Sequence, residues 1–288
     1  MKYITFPAAG KLTALAIMLE CFGHDTDDQT IALHMRAPWL FVKEDDRYLA
    51  GSSLYQPRWL DLYLTPHGFH MTEISLPKDH VPAFLRSVRT AMLPLKVTQD
   101  QTHPVVFTGY QGGRYLFCNV KQQASSEPDN ISLTTAMLKR RLTEIVSVSS
   151  LEECQPATVD FVPLLLESIN NLTHYQHDVL QALKKTVTRD EFQMLSKQLF
   201  RALMQDALPM AQLGEDFDLT NELLLLNHDY RHVFTRNSPC SVTLVEKIPR
   251  GSVRKCVSWL REDIIDQLYL HGLSDDAVEK HLCHLTYD

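Results

Sequence analysis

Along the first half of the chain, helical and alternating stretches of apolar residues follow one another. From Thr158 onward the spacing is helical almost throughout. Residues Leu12 to Phe22 are apolar nearly without a break, which predicts a buried helix, and Gly23 supplies the positive-φ residue that a helix end favours. Thr26-Asp27-Asp28-Gln29 offers capping groups for a short helix through His34. Arg36 to Pro57 mixes proline, glycine and charge and predicts a surface excursion. Arg58 to Leu64 has helical spacing, Gly68 closes it, and Phe69 to Ser75 alternates as a strand. Pro77 to Met92 reads as an amphipathic helix.

Three strands are predicted next, at Leu93–Thr98, His103–Tyr110 and Arg114–Val120. Gln111-Gly112-Gly113 makes a tight turn between the last two, which should therefore pair antiparallel. Glu127-Pro128-Asp129-Asn130 ends the hairpin region, Ser132 caps a helix to Leu142, and Glu144–Val148 is a last strand. Helices follow at Val159–Thr186, Arg189–Leu213, Leu219–Val233 and Val253–His271, with a strand possible only at Ser241–Glu246; Ser274-Asp275-Asp276 caps a final short helix. The expectation is an α+β fold: an N-terminal domain over residues 1–150, with a helix on an antiparallel sheet, then an all-α domain over residues 151–288.

Composition narrows the function classes. Of 288 residues 44% are hydrophobic, enough for a sizeable core, and the net charge of −7 argues against a nucleic-acid surface. The one basic triplet, Lys139-Arg140-Arg141, is better explained as a helix end. Six cysteines stand far apart without a Cys-x-x-Cys pair, so neither a disulfide scaffold nor a zinc ribbon is expected. No apolar run is long enough to span a bilayer. Leu12 to Leu19 imitates a signal-peptide core, but no small-x-small cleavage site follows, and a cytoplasmic location is expected.

Candidate chemistry lies in the order of three elements. A buried helix begins at Gly10, His103 opens a strand, and Asn119 ends the next strand across the Gly112-Gly113 turn. Thiol enzymes place a cysteine at a helix N-terminus, a histidine base on a facing strand, and an amide or carboxylate on the next strand to orient it. Gly10-Lys11-Leu12-Thr13-Ala14-Leu15-Ala16-Ile17-Met18-Leu19, with Gly23 beyond, resembles the first helix of the papain-like, double-glycine-leader peptidases that process bacteriocins. His103-Pro104-Val105-Val106-Phe107-Thr108-Gly109-Tyr110 is similar to their histidine strand, and Leu116-Phe117-Cys118-Asn119 to the strand ending in their acid. The arrangement also resembles the N-terminal domain of the butirosin-biosynthesis acyltransferase family. The likeness spans residues 1–148 and implies a papain-like domain of bacterial type.

The departures direct the functional expectation. Gly10 stands where those families carry the nucleophile, Lys11-Leu12 replaces Gly-Pro, and Ile4-Thr5-Phe6 lacks the oxyanion glutamine. Without a side chain at the nucleophile position no covalent intermediate forms. The resemblance therefore implies a catalytically inactive module, with Gly10, His103 and Asn119 marking a vestigial site. Thr13, Trp39 and Tyr110 are added as ligand contacts, and a peptide or acyl-carrier protein is the expected partner in peptide or natural-product maturation. The alternative is a cysteine peptidase or acyltransferase whose nucleophile is replaced by Gly10. A third class, a metal hydrolase on His228 and His232, rests on their i, i+4 spacing; His174/His177 and His281/Cys283/His284 are weaker pairs. A polar helix face explains all three better, so no metal and no cofactor are expected.

Overall fold

The computed structural model describes residues 2–6, 9–45, 47–96, 102–182, 186–187, 242–243 and 250–284. In chain order the elements are helices α1 (Gly10–Glu20) and α2 (Asp28–His34), strands β1 (Phe41–Glu44) and β2 (Arg47–Ala50), helix α3 (Pro57–Leu64), strand β3 (Phe69–Pro77) and helix α4 (Val81–Ser87). Strands β4 (Ala91–Lys96), β5 (Thr102–Gln111), β6 (Arg114–Asn119) and β7 (Asn130–Thr134), helix α5 (Thr135–Arg141) and strand β8 (Ile145–Glu153) complete the sheet-bearing half. Helix α6 (Val162–Ala182), the two-residue strands β9 (Thr186–Val187) and β10 (Val242–Thr243), and helices α7 (Arg250–Leu270) and α8 (Asp275–His284) follow. The fold is α+β. Among the described residues no helix is long and apolar enough to cross a membrane.

The chain forms two compact units, one of residues 1–35 with 55–159 and one of residues 36–54 with 160–288. Its main division falls after Val159, because the tail of β8 stays tied to the first unit through Cys154 N–H to Gly68 O (2.9 Å) and Ala157 N–H to Thr65 O (3.2 Å). The excursion after Arg36 belongs to the second unit. There β1 and β2 form a hairpin against α6: Phe41 N–H donates to Ser168 Oγ (2.9 Å), Asn171 Nδ2 donates to Phe41 O (3.0 Å), and Tyr48 donates to Asp178 (2.8 Å). Tyr175 meets the rings of Phe41 and Tyr48 edge-on, both at 5.1 Å. The second unit thus carries strand pairs beside its helices and is not all-α; β10 falls within the stretch Ser241–Glu246 where the sequence allows a strand, whereas the β1–β2 hairpin falls in the expected surface excursion.

In the first unit the strands pair antiparallel in the order β3-β8-β4-β5-β6-β7. Alternation sends Leu93, Leu95, Val105, Phe107, Tyr115 and Phe117 to one face, where they pack with Val81 and Leu85 of α4 and Leu138 of α5. Met92, Val106 and Cys118 turn the other way and are also buried. On that reverse side lies α1, whose residues Leu12 to Leu19 are all buried, as expected of a helix apolar all round. The β5–β6 turn uses Gly112 and Gly113 at φ 57° and 75°, the left-handed pair that a two-residue hairpin requires.

Three local expectations shift. The helix predicted over Pro77–Met92 shrinks to α4, since residues from Ala91 join the sheet between β8 and β5. Ser132 lies within β7, and the cap of α5 is Thr134, which accepts from Met137 N–H. The last strand runs on to Glu153 because β3 pairs with it over nine positions, from Phe69↔Glu153 to Pro77↔Ile145.

A buried carboxylate ties the N-terminal segment to the helices. Asp28, 1% exposed, accepts from Thr5 N–H (2.9 Å), Thr5 Oγ1 (2.6 Å) and Thr13 Oγ1 (3.0 Å). Ion-assisted hydrogen bonds are the stronger kind, and their loss strands the donors. Asp28→Ala should cost about 2–4 kcal/mol in urea unfolding, whereas the exposed Asp27→Ala should cost about 1 kcal/mol through its cap to Thr30 N–H.

Candidate functional site

The register of β5 and β6 decides where the expected site residues go. Val105 pairs with Asn119, and His103 pairs with Leu95 on the other side. His103 and Asn119 therefore share the face of Val105 and Leu95, the one covered by α4 and α5. Gly10 opens α1 on the reverse face. A Cβ at Gly10 would meet Ile4 at 3.7 Å and Pro104 and Val120 at 3.9 Å. The expected cleft of Gly10, His103 and Asn119 does not assemble: the strand residues opposite the helix start are Pro104 and Val120, one position along from the histidine and the asparagine.

The other expected contacts disperse as well. Thr13 is fully buried, its hydroxyl engaged by Asp28 and Ala9 O, so it holds α1 rather than meeting a ligand. Tyr110 lies seven residues along β5 from His103, roughly 23 Å away, where it packs on Tyr115 (4.7 Å). Trp39 belongs to the second unit, donating from Nε1 to Asp263 (2.7 Å), whose carboxyl is pushed up by burial.

His103 and Asn119 do converge, on a cavity of about 400 Å³. Its walls include Leu95, Val105, Leu133 and Met137, and its mouth Lys96 and Arg141. Asn119 is 4% exposed; its Nδ2 donates to Glu127 Oε2 and Pro128 O, both at 3.1 Å, which fixes the amide with Oδ1 free. That Oδ1 and His103 Nε2 are both buried without a hydrogen-bond partner. Lys121 holds the surrounding loop. Itself 8% exposed, it donates to Ser125 O (3.2 Å) and Glu127 O and pairs with Asp129 (2.7 Å). Lys121, Glu127 and Asp129 were missed by sequence reasoning because Glu127–Asn130 reads as an ordinary turn. An apolar cavity with a few convergent polar atoms is the usual form of a ligand site.

A second cavity of about 260 Å³ lies on the α1 side of the sheet, lined by Lys11, Thr102, Pro104, Ser147 and Ser149 among others. The serine hydroxyls donate to Glu73 (2.6 and 3.5 Å), and no histidine lines the cavity among the described residues. Lys11 lies over the Tyr55 ring at 4.0 Å, and burial lowers its ammonium pKa against the opposing pull of Glu73. No group of three histidine, cysteine or acidic residues set to hold a metal occurs among the described residues. The His228/His232 pair lies outside them. His281 contacts Leu166 O (3.3 Å).

Imidazoles also gather beside Tyr63, where His24 Nε2 meets the phenol oxygen (3.0 Å) and His67 stacks on the Tyr63 ring (4.3 Å). Burial, and then the neighbouring His67, hold His24 below the usual histidine pKa. The fold thus favours neutral His24, and this contribution is present above about pH 6.5 and lost as pH falls through the lowered value. His24→Gln should flatten the loss of urea midpoint between pH 7.5 and pH 5.5.

No protein-family model matches the chain, and no curated protein matches it. The site's chemistry therefore rests on its own geometry. Cys118, on the α1 face, is buried and its thiol pushed up, whereas Cys154 is exposed. Iodoacetamide at about pH 8 should label Cys154 well before Cys118. A thiol introduced as Gly10→Cys should titrate at or above about 8.5, unmoved by His103→Ala. A drop of two units that vanishes without His103 would mean that the histidine reaches the helix start.

Proposed function

We propose that the first unit is a catalytically inactive, papain-like binding module, acting in the cytoplasm as an accessory to peptide or natural-product maturation and engaging a peptide or an acyl-carrier partner. The observation that carries the inactive assignment is the split between the two sheet faces. The start of α1 looks onto Pro104 and Val120, which can neither accept a proton nor orient a base. His103 and Asn119 line a cavity on the reverse face, where no thiol lies among the lining residues. A peptidase or acyltransferase that had lost only its cysteine would keep a base opposite Gly10.

Two measurements test the reading. Wild-type protein and Gly10→Cys should both hydrolyse p-nitrophenyl butyrate and fluorogenic peptide amides at the buffer rate beyond any single-turnover acylation. Turnover that disappears with His103→Ala would overturn the inactive assignment. On arrays of short peptides and acyl-carrier proteins, a captured partner should be lost with Met137→Trp, which fills the cavity from its exposed wall. Capture indifferent to that change would place binding elsewhere and defeat the proposal.

A further inference from the structure

The cavity on the α1 side of the sheet holds a nucleophile that the binding reading leaves unused. We propose that Lys11 is a covalent capture site for a small, neutral aliphatic aldehyde or ketone, which it binds as an imine inside this cavity.

The amine comes first. Lys11 lines the cavity of about 260 Å³ from the first turn of α1 and forms no ion pair among the described residues. It is half-buried, and an ammonium that loses part of its hydration gives up its proton more readily. That burial outweighs the opposing pull of Glu73. The Tyr55 ring, 4.0 Å from Nζ, steadies the side chain. A partly desolvated lysine beside an apolar cavity is the usual form of a carbonyl-capturing amine.

The walls select a neutral carbonyl compound. Met92, Leu93, Pro94 and Pro104 offer hydrocarbon to an aliphatic chain. An anion would meet Glu73, which already accepts from Ser147 (2.6 Å) and Ser149 (3.5 Å), and a cation would meet Lys11. With their protons turned to that carboxylate, the serine hydroxyls are not free to attack. No thiol lies among the lining residues, so the amine is the cavity's nucleophile.

Capture needs no co-reactant. The lone pair of neutral Nζ forms a bond to the carbonyl carbon, the C–O π pair moves to oxygen, and that oxygen takes a proton as nitrogen loses one. The carbinolamine then breaks its C–O bond, nitrogen loses its second proton, and water leaves with it. Amine and carbonyl give imine and water, with no change of oxidation level. Ser147 and Glu73 form a hydroxyl–carboxylate pair through which the proton can pass.

The full chain treated with butanal and sodium cyanoborohydride at pH 7, and read lysine by lysine by mass spectrometry, tests this. Lys43 is the reference: it lies beside the Tyr48 ring at 5.3 Å but is exposed and lines neither cavity. Lys11 should be alkylated about fivefold faster than Lys43. Thr102→Trp, which fills the cavity from an exposed position, should bring Lys11 down to the rate of Lys43 or below and leave Lys43 unmoved. Glu73→Gln, which removes the charge favouring the ammonium, should speed Lys11 about twofold. In the unaltered chain an aldehyde-bearing dextran, too large for the cavity, should label Lys43 and spare Lys11, and excess sodium butyrate should not protect Lys11 from butanal. Equal butanal rates at the two lysines, or a Lys11 rate indifferent to Thr102→Trp, overturns the proposal. So does labelling of Lys11 by the dextran as fast as Lys43. Protection by butyrate overturns it as well, by making the cavity an anion site. None of these outcomes bears on partner capture through Met137, which lines the cavity on the other face.

Discussion

Successive side chains of a strand point to opposite sides of its sheet, and this period of two governs what the first unit can do. Each face of the central strands is covered: α4 and α5 close one side and α1 the other. Moving a histidine by one residue would exchange the Asn119 cavity for the apolar seat of α1. His103 cannot drift between the two, since Val105 and Phe107 of the same strand would have to change faces with it and leave the places they fill against α4 and α5. Both faces are closely filled, so such an exchange would leave holes on one side and overfill the other, which locks the register. Chemistry in this unit follows from that lock.

The loop after β6 is built around a second dependency. Lys121 is almost fully buried, which is costly for an ammonium unless its charge is compensated. Two carbonyls and Asp129 provide that compensation, and in doing so bend residues 122–129 back over the end of β6. Glu127 and Pro128 are thereby delivered to Asn119, and Asp129 O to its backbone N–H at 2.8 Å. The turn that compensates the buried cation is thus also the one that fixes the Asn119 amide.

Much of this architecture was legible in the sequence. The unbroken apolar run marked α1, the paired glycines marked the β5–β6 turn, and the antiparallel pairing followed from its length. Less legible was anything decided by long-range partners. Asn130–Thr134 is too short and polar to read as a strand until β6 stands beside it, and Ala91–Met92 looks helical until two strands flank it. Motif matching brought His103 and Asn119 together correctly in one cavity but set Gly10 with them. Spacing along the chain reports which residues lie at one strand end, whereas the facing side depends on a single-residue offset. The orphaned atoms and the Lys121 staple have no signature in one sequence, being properties of a folded loop.

The hairpin of β1 and β2 gives the molecule a history as well as a shape. Phe41 and Tyr48 leave the ribosome well before Ser168, Asn171, Tyr175 and Asp178, the groups that receive them some 127 to 130 positions later. At translation speeds of about 5–20 residues per second, that interval is on the order of ten seconds. Strand β8, which stands between β3 and β4, is made only just before α6, so the sheet and the seat of the hairpin are completed almost together. Until then the aromatic hairpin and the open sheet both wait on partners from the same late stretch of chain.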